Sequence, residues 1–470
     1  MKNRLRIFLT IVLFVVFYSA SGRASPETVP PFNNGDTVAF IGDSITHGGS
    51  YHANIFLFYA TRFPDRKFKY YNCGISGDTA LGAIARFDQD IAVHHPNVAT
   101  IMLGMNDVGR GNYGKEKRSP SDIAAQDKSF AVYKESMDRL ASMLTNIGSR
   151  IIFITPSIYD QTARISAVNN FGVDDGLIRF SGFVKTLAQK YNSPVVDFHT
   201  IMLQVNHEIQ KNNPGATLIG PDRIHPGIPG HFVMAYEFLR AQQMPKYVSG
   251  IGIDAAAAKP TETVNCEVGP IRSSASNGIA FSCREFALPF PVSEAQKQAL
   301  AWVPFQQDLN QEVLTVKNLA AGLYCLKIDG LPVSTNSAAD LARGINLSDC
   351  PTTPQYRQAL AVKALNDRIL SISSKLRAIG FVRFKILSGV KTLPEDDNAL
   401  RDVLYASIEK HRQAPWYGYF KTQCDQFIEL RREENDCRRQ IEVLFDRMDQ
   451  ANKPTTHQWL ITPAAAAGKP

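Results

Sequence analysis

Between residues 36 and 242, short apolar runs alternate with amphipathic stretches, and this alternation constrains the fold more than any other feature of the chain. The runs at 38–41, 68–71, 98–103, 151–154 and 195–198 are rich in Val, Ile and aromatic residues and lack a polar face. Strands buried on both sides have that texture. The stretches at 55–62, 80–91, 121–145 and 177–190 instead show helical periodicity. Strand–helix alternation predicts an open parallel sheet covered by helices on both faces. Such sheets bind ligands at the carboxyl ends of their strands, so the residues just after each run decide the chemistry.

The remainder of the chain has a different texture. The apolar run Ile7 to Phe17 follows the basic residues Lys2, Arg4 and Arg6, and small residues follow it at Ser19, Ala20, Ser21, Gly22 and Ala24. This is the pattern of a secretory signal peptide over 1–24, and the run is too short to cross a bilayer comfortably. The expectation is a secreted or periplasmic protein with no stable membrane partner once the leader is cleaved. A catalytic domain is expected over 25–245. A small-residue linker is expected over 246–262, a β-rich module over 263–350 and a helical region over 351–470. Helices are expected at 356–378, 399–411 and 424–448. The formal charge of +7 falls to about +3 when Lys2, Arg4, Arg6 and Arg23 leave. That is too little to imply a nucleic-acid partner.

Six of the seven cysteines lie after residue 260. An oxidising compartment would allow them to pair. Local pairing of Cys266 with Cys283 and of Cys325 with Cys350 is expected. Cys424 could reach Cys437 only if a break separates them, because thirteen residues of continuous helix span about 20 Å. Cys73 is expected to be a buried free thiol.

Four motifs stand at the places the sheet makes important. Gly42-Asp43-Ser44 follows the first run. It puts a serine hydroxyl at a strand-to-helix corner, with its own N–H near a helix N-terminus, where it faces a developing anion. Asn72-Cys73-Gly74-Ile75-Ser76-Gly77 follows the second run, and its glycines permit a free N–H to turn inward. Gly104-Met105-Asn106-Asp107 follows the third and offers an amide donor suited to an oxyanion. Asp222-Arg223-Ile224-His225 supplies a histidine base with a carboxylate three residues earlier to fix its tautomer. Each motif alone matches an ordinary turn or cap. Together they supply nucleophile, base, base-orienter and oxyanion donors, the set that acyl transfer needs.

In these motifs the chain resembles the SGNH (GDSL) hydrolases over about residues 36–242. Ser44 matches the nucleophile block, and Gly77 matches the glycine block together with Asn72 and Ser76. Asn106 matches the asparagine block, and Asp222 with His225 matches the last block. The resemblance implies a flavodoxin-like, three-layer α/β/α fold and a serine esterase. In it Ser44, Asp222 and His225 are catalytic, and Ser44, Gly77 and Asn106 form the oxyanion hole. Gly74 is second choice for the glycine role. No metal or other cofactor is expected, because no His, Cys, Asp or Glu cluster has convincing ligand spacing. Secretion and the extra modules suit a small-molecule or polysaccharide ester, above all acetylated carbohydrate, with Tyr51, His52 and Tyr113 near the rim as candidate sugar contacts. The alternatives are a lipid esterase or lysophospholipase, and a glycan-binding protein whose hydrolase domain is idle. The basic loop with Arg110, Lys115, Lys117 and Arg118 favours a polar or anionic substrate over a fatty chain.

Overall fold

The computed structural model describes residues 28–114, 118–273, 278–390 and 392–464. The expected leader, and Lys115 and Lys117 of the basic loop, lie outside the described residues. The expected parallel sheet is present, with strands β1 (Thr37–Gly42), β2 (Lys69–Gly74), β3 (Val98–Met102), β4 (Arg150–Ile154) and β5 (Val195–Val196). They run in the order β2-β1-β3-β4-β5, every pair parallel. The order reverses at β1, so a crevice opens between the carboxyl ends of β1 and β3.

Alternate residues of β1 feed opposite faces of the sheet. Val38 and Phe40 enter one core with helices α2 (Tyr51–Arg62), α6 (Phe198–Asn212) and α7 (Ile228–Ala241). Ala39 and Ile41 enter a second core with α3 (Ala80–Ala85), α4 (Pro120–Asn146) and α5 (Val173–Lys190). The chain thus makes a three-layer α/β/α unit. The short helix α1 (Ser44–Gly48) follows β1 directly, and the Asp43 carboxylate caps it by accepting from the Ile45 N–H at 3.0 Å.

Residues 246–262 are not a linker. They form β6 (Tyr247–Asp254) and most of β7 (Lys259–Val264), which pair with each other and, through β6, with β11 (Gln311–Lys317). The small residues that suggested a linker let sheet backbones approach closely: a Cβ on Gly252 would lie 2.5 Å from Thr261 Oγ1. One sheet of a sandwich has the order β14-β11-β6-β7, with β14 at Ile345–Asn346. The facing sheet has the order β13-β12-β15-β10-β8, with β9 (Arg272–Ser273) beside β10. Its strands are β8 (Cys266–Val268), β10 (Ile279–Glu285), β12 (Leu323–Ile328), β13 (Leu331–Ser337) and β15 (Thr456–Pro463). Short helices α8 (Phe305–Leu309) and α9 (Ala338–Arg343) lie between strands.

The region expected to be helical to the end of the chain therefore closes with a strand. β15 sits between β10 and β12, and its Trp459 and Ile461 are buried in the sandwich core. Helices α10 (Pro354–Phe381), α11 (Asp397–Glu409), α12 (Tyr417–Leu430) and α13 (Glu434–Ala451) form an insertion between β14 and β15. The turn at 431–433 separates α12 from α13 and so breaks the single helix expected over 424–448. All seven cysteines are free thiols. Cys424 and Cys437 pack in different cores, which is why the break does not bring them together. Cys266 and Cys283 lie on the adjoining strands β8 and β10, and the Cys266 thiol donates to Gly250 O at 3.2 Å.

The insertion packs against the hydrolase unit rather than standing apart from it. Ile369 and Ile372 of α10 and Leu444, Phe445 and Met448 of α13 share one core with α2. All twelve residues of α2 are consequently buried. Polar anchors fix the docking. Asn366 donates to Ala53 O at 3.0 Å and Asn452 donates to Ala60 O at 2.9 Å, while the buried Arg62 ties α2 to α8 by donating to Leu309 O at 2.6 Å.

Candidate active site

Four segments of the hydrolase unit converge at the crevice. Ser44 is the first residue of α1, where a backbone N–H has no intrahelical acceptor. The strand that precedes it and the Asp43 cap hold the corner, so the hydroxyl projects from the carboxyl end of the sheet. His225, 181 residues later, lies with its Nε2 2.7 Å from Ser44 Oγ. Its Nδ1 lies 2.5 Å from Asp222 Oδ2. A carboxylate can only accept, so Nδ1 carries the proton and Nε2 accepts from the serine hydroxyl. Asp222 also accepts from the backbone N–H groups of Ile224 and His225 at 2.9 and 3.0 Å. Burial pushes its carboxyl up, but the hydrogen bonds from the His225 ring and these two amides outweigh it and hold the group well below the usual carboxylate range.

The loop after β2 offers two glycines, and the structure separates them. The Gly74 N–H donates to Asn72 Oδ1 at 2.9 Å and is therefore occupied. Gly74 is also where β2 meets α1: a Cβ there would lie 2.3 Å from His47 N. Gly77, at φ +71°, lines the cleft, and its N–H has no hydrogen-bond partner among the described residues. A left-handed φ of this kind favours glycine.

Asn106 lines the same cleft. Its amide is fixed from both ends, donating from Nδ2 to Asp78 O at 2.9 Å and accepting at Oδ1 from Arg110 at 3.1 Å. One Nδ2–H remains for a ligand. Arg110, of the basic loop, lines the cleft as well, and its guanidinium also donates to Met105 O at 2.6 Å. Tyr51 and His52 are completely buried and cannot be rim contacts, because α2 has a second layer of helices over it. Tyr113 is also buried, against Gly176.

Sequence reasoning missed several residues that line the cleft or brace it. His47 accepts from the Ser76 N–H through Nδ1 at 3.2 Å and so steadies the residue next to Gly77. Burial pushes the His47 imidazole down to about 3, which keeps it neutral and able to accept. Lys385, in the turn after α10, donates to Asp78 Oδ1 at 2.7 Å and to Gly77 O at 3.3 Å. Arg86 donates to Asp78 Oδ2 at 2.9 Å and also binds Asp90, whose carboxylate takes two bonds from Arg377 of α10 at 2.9 and 2.8 Å. The loop carrying Gly77 is thus tied to the inserted helices. Phe381, Trp416, Tyr419 and Phe420 complete a cleft of about 790 Å³. No local motif marks these residues; the dense run Trp416-Tyr417-Gly418-Tyr419-Phe420 was the one signal available. Among the described residues no group of three or more His, Cys, Asp or Glu side chains is arranged to hold a metal ion.

A sequence model of the GDSL-like lipase/acylhydrolase family matches residues 40–232, the segment that holds Ser44, Gly77, Asn106, Asp222 and His225. The chain is an ester hydrolase with a GDSL-like lipase/acylhydrolase domain. An acetylxylan esterase from Geobacillus stearothermophilus is 26% identical over 225 residues, which are 44% of this chain and 94% of that one. The solved structure of a gut microbial diltiazem-metabolizing enzyme is similar over 93% of this chain and 100% of its own, at 29% identity and a TM-score of 0.82. The likeness to the acetylxylan esterase therefore spans less than half of this GDSL-like hydrolase, whereas the second likeness extends through the sandwich and the inserted helices.

Proposed function

We propose that the protein is a serine esterase that removes short acyl groups, acetyl foremost, by a two-step acyl-enzyme mechanism. The observation that carries this reading is the unbroken hydrogen-bond chain from Ser44 Oγ through His225 to Asp222, at 2.7 and 2.5 Å. Ser44 Oγ attacks the acyl carbon as its proton passes to His225 Nε2. The carbonyl π-electrons move to oxygen, and the N–H groups of Ser44 and Gly77 and the free Nδ2–H of Asn106 receive the oxyanion. Collapse of the tetrahedral adduct breaks the bond to the alcohol oxygen, which leaves with the proton from His225. Water, deprotonated by the same imidazole, then attacks the acyl-serine, and its collapse releases the carboxylic acid and restores Ser44. Asp222 stays ionised throughout and stabilises the imidazolium.

The acetylxylan esterase relative supports acetyl as the acyl group and carbohydrate as one class of alcohol, on the strength of the hydrolase unit alone. The leader pattern over 1–24 supports action outside the cytoplasm, in a secreted or periplasmic setting. The test is acetate release from p-nitrophenyl acetate by wild type and Ser44→Ala. Turnover by wild type and its loss in Ser44→Ala are expected; equal rates would overturn the reading.

A further inference from the structure

The inserted helices build the wall of the cleft that faces Ser44, and that wall is aromatic. Phe381 ends α10, Trp416 precedes α12, and Tyr419 and Phe420 lie in its first turn. The rings form one continuous cluster. Trp416 and Phe420 centroids are 4.4 Å apart, Phe381 and Phe420 are 5.2 Å apart, and Phe381 and Tyr419 are 5.3 Å apart. Phe381 also meets the edge of His47 at 6.4 Å, which joins the cluster to the Ser44 corner. Tyr419 Oη is 3.2 Å from Ser76 Oγ, beside Gly77. Trp416 and Tyr419 are each 41% exposed, although the protein buries most rings of that size. Two large aromatic faces left open beside a nucleophile are a binding surface rather than a core.

The polar groups on this wall are largely occupied with each other. Gln423 donates to Gln426 at 3.1 Å, Ser374 donates to Leu370 O at 3.0 Å, and Lys385 is bound to Asp78. Among the described residues of this wall, Gln423 Oε1 is a fully buried acceptor without a partner. A sugar carries several hydroxyls that lose their hydration on entry and need partners to replace it. The lining of this cleft is mostly apolar and offers few such partners, whereas a flat ring system loses little on leaving water and gains the stacked area.

We propose, resting on the serine-esterase reading above, that this wall binds the alcohol half of the ester and that the preferred substrates are acetate esters of aromatic or fused-ring alcohols. Trp416 and Tyr419 are the specificity-determining residues. They lie more than 180 positions beyond the hydrolase segment at 40–232, so the insertion, not the hydrolase unit, selects the alcohol.

The test compares kcat/KM for 2-naphthylmethyl acetate, ethyl acetate and fully acetylated xylobiose, each divided by its alkaline hydrolysis rate. Wild type is expected to prefer the naphthylmethyl ester over both others. In Trp416→Ala and in Tyr419→Ala the ratio of naphthylmethyl to ethyl ester should fall by about two- to tenfold, the size of one lost aromatic contact, chiefly through KM. Trp416→Phe should keep most of the preference, since it keeps a ring. A preference for acetylated xylobiose, or an unchanged ratio in both alanine variants, would overturn the assignment. Ser44→Ala on the same three esters reads the underlying mechanism separately: survival of turnover there would remove the serine-esterase reading, whatever the selectivity.

Discussion

Arg377→Met is expected to destabilise the protein by about 3 kcal/mol, and the reason lies in where its partner sits. Arg377 and Asp90 join through two bonds of 2.9 and 2.8 Å, with side chains only 5% and 4% exposed. Removing one member of a buried pair costs roughly 3–5 kcal/mol because the other charge is left without its counterion. The lower end applies because Arg86 still holds Asp90. Burial drives the Asp90 carboxyl up, yet Arg377 and Arg86 together hold it below its ordinary 3.8. A carboxyl with a depressed pKa contributes stability that is full above the ordinary value and fades as pH falls through the native one. The deficit of Arg377→Met should therefore be full at pH 7 and shrink below about pH 4. Urea unfolding at the two pH values measures it. The same substitution in an Asp90→Asn background should cost only about 1 kcal/mol, giving a coupling of about 2 kcal/mol. A midpoint for Arg377→Met within about 0.5 kcal/mol of wild type, or an additive cycle, would mean that Arg86 alone neutralises Asp90 and that the tie to α10 contributes nothing.

Asn106→Ala removes one of the three proposed oxyanion donors and should lower kcat by about 10²–10³ with KM little changed; steady-state kinetics on p-nitrophenyl acetate decides it. Asp222→Asn should lower kcat by about 10⁴, because the imidazole loses the partner that fixes its tautomer. Gly77→Ala forces a side chain onto a residue at φ +71° and should cost about 1 kcal/mol in urea unfolding, with a fall in kcat as the N–H is displaced. Glu285 and Glu312 are both fully buried, with no ion pair to either among the described residues. Burial raises both carboxyls; the neighbouring Glu285 raises Glu312 further, whereas hydrogen bonds from Ser249 and Gln355 draw Glu285 part of the way back. Their contribution is full below the ordinary value of 4.5 and is lost as pH rises through the raised native values. Stability should thus decline as pH rises above the ordinary carboxylate range, and Glu312→Gln should flatten the decline; parallel profiles for the two proteins would contradict this.

The sequence by itself determined the sheet and what stands at its edge. Each strand is a short, mostly buried apolar run, and that signal is local, so β1 to β4 lie within three residues of where the runs place them. The nucleophile, glycine, asparagine and histidine motifs were legible for the same reason, since each follows its strand directly or forms a self-contained turn. The tertiary structure alone decided which of two glycines has a free N–H, because that depends on the Asn72 side chain folding back onto Gly74. It also decided that Tyr51 and His52 are core residues: an amphipathic helix and one buried on every side differ only in what packs on the outer face, here α10 and α13. The same holds for the cleft wall. Phe381, Trp416 and Tyr419 line the cleft of Ser44 across more than 330 positions of chain, held there by the return of β15 into the sandwich, by the core that α10 and α13 share with α2 and by the tie from Arg377 to Asp90. Period and spacing report a residue's own element, whereas contacts between distant elements depend on the summed packing of surfaces that no local pattern encodes.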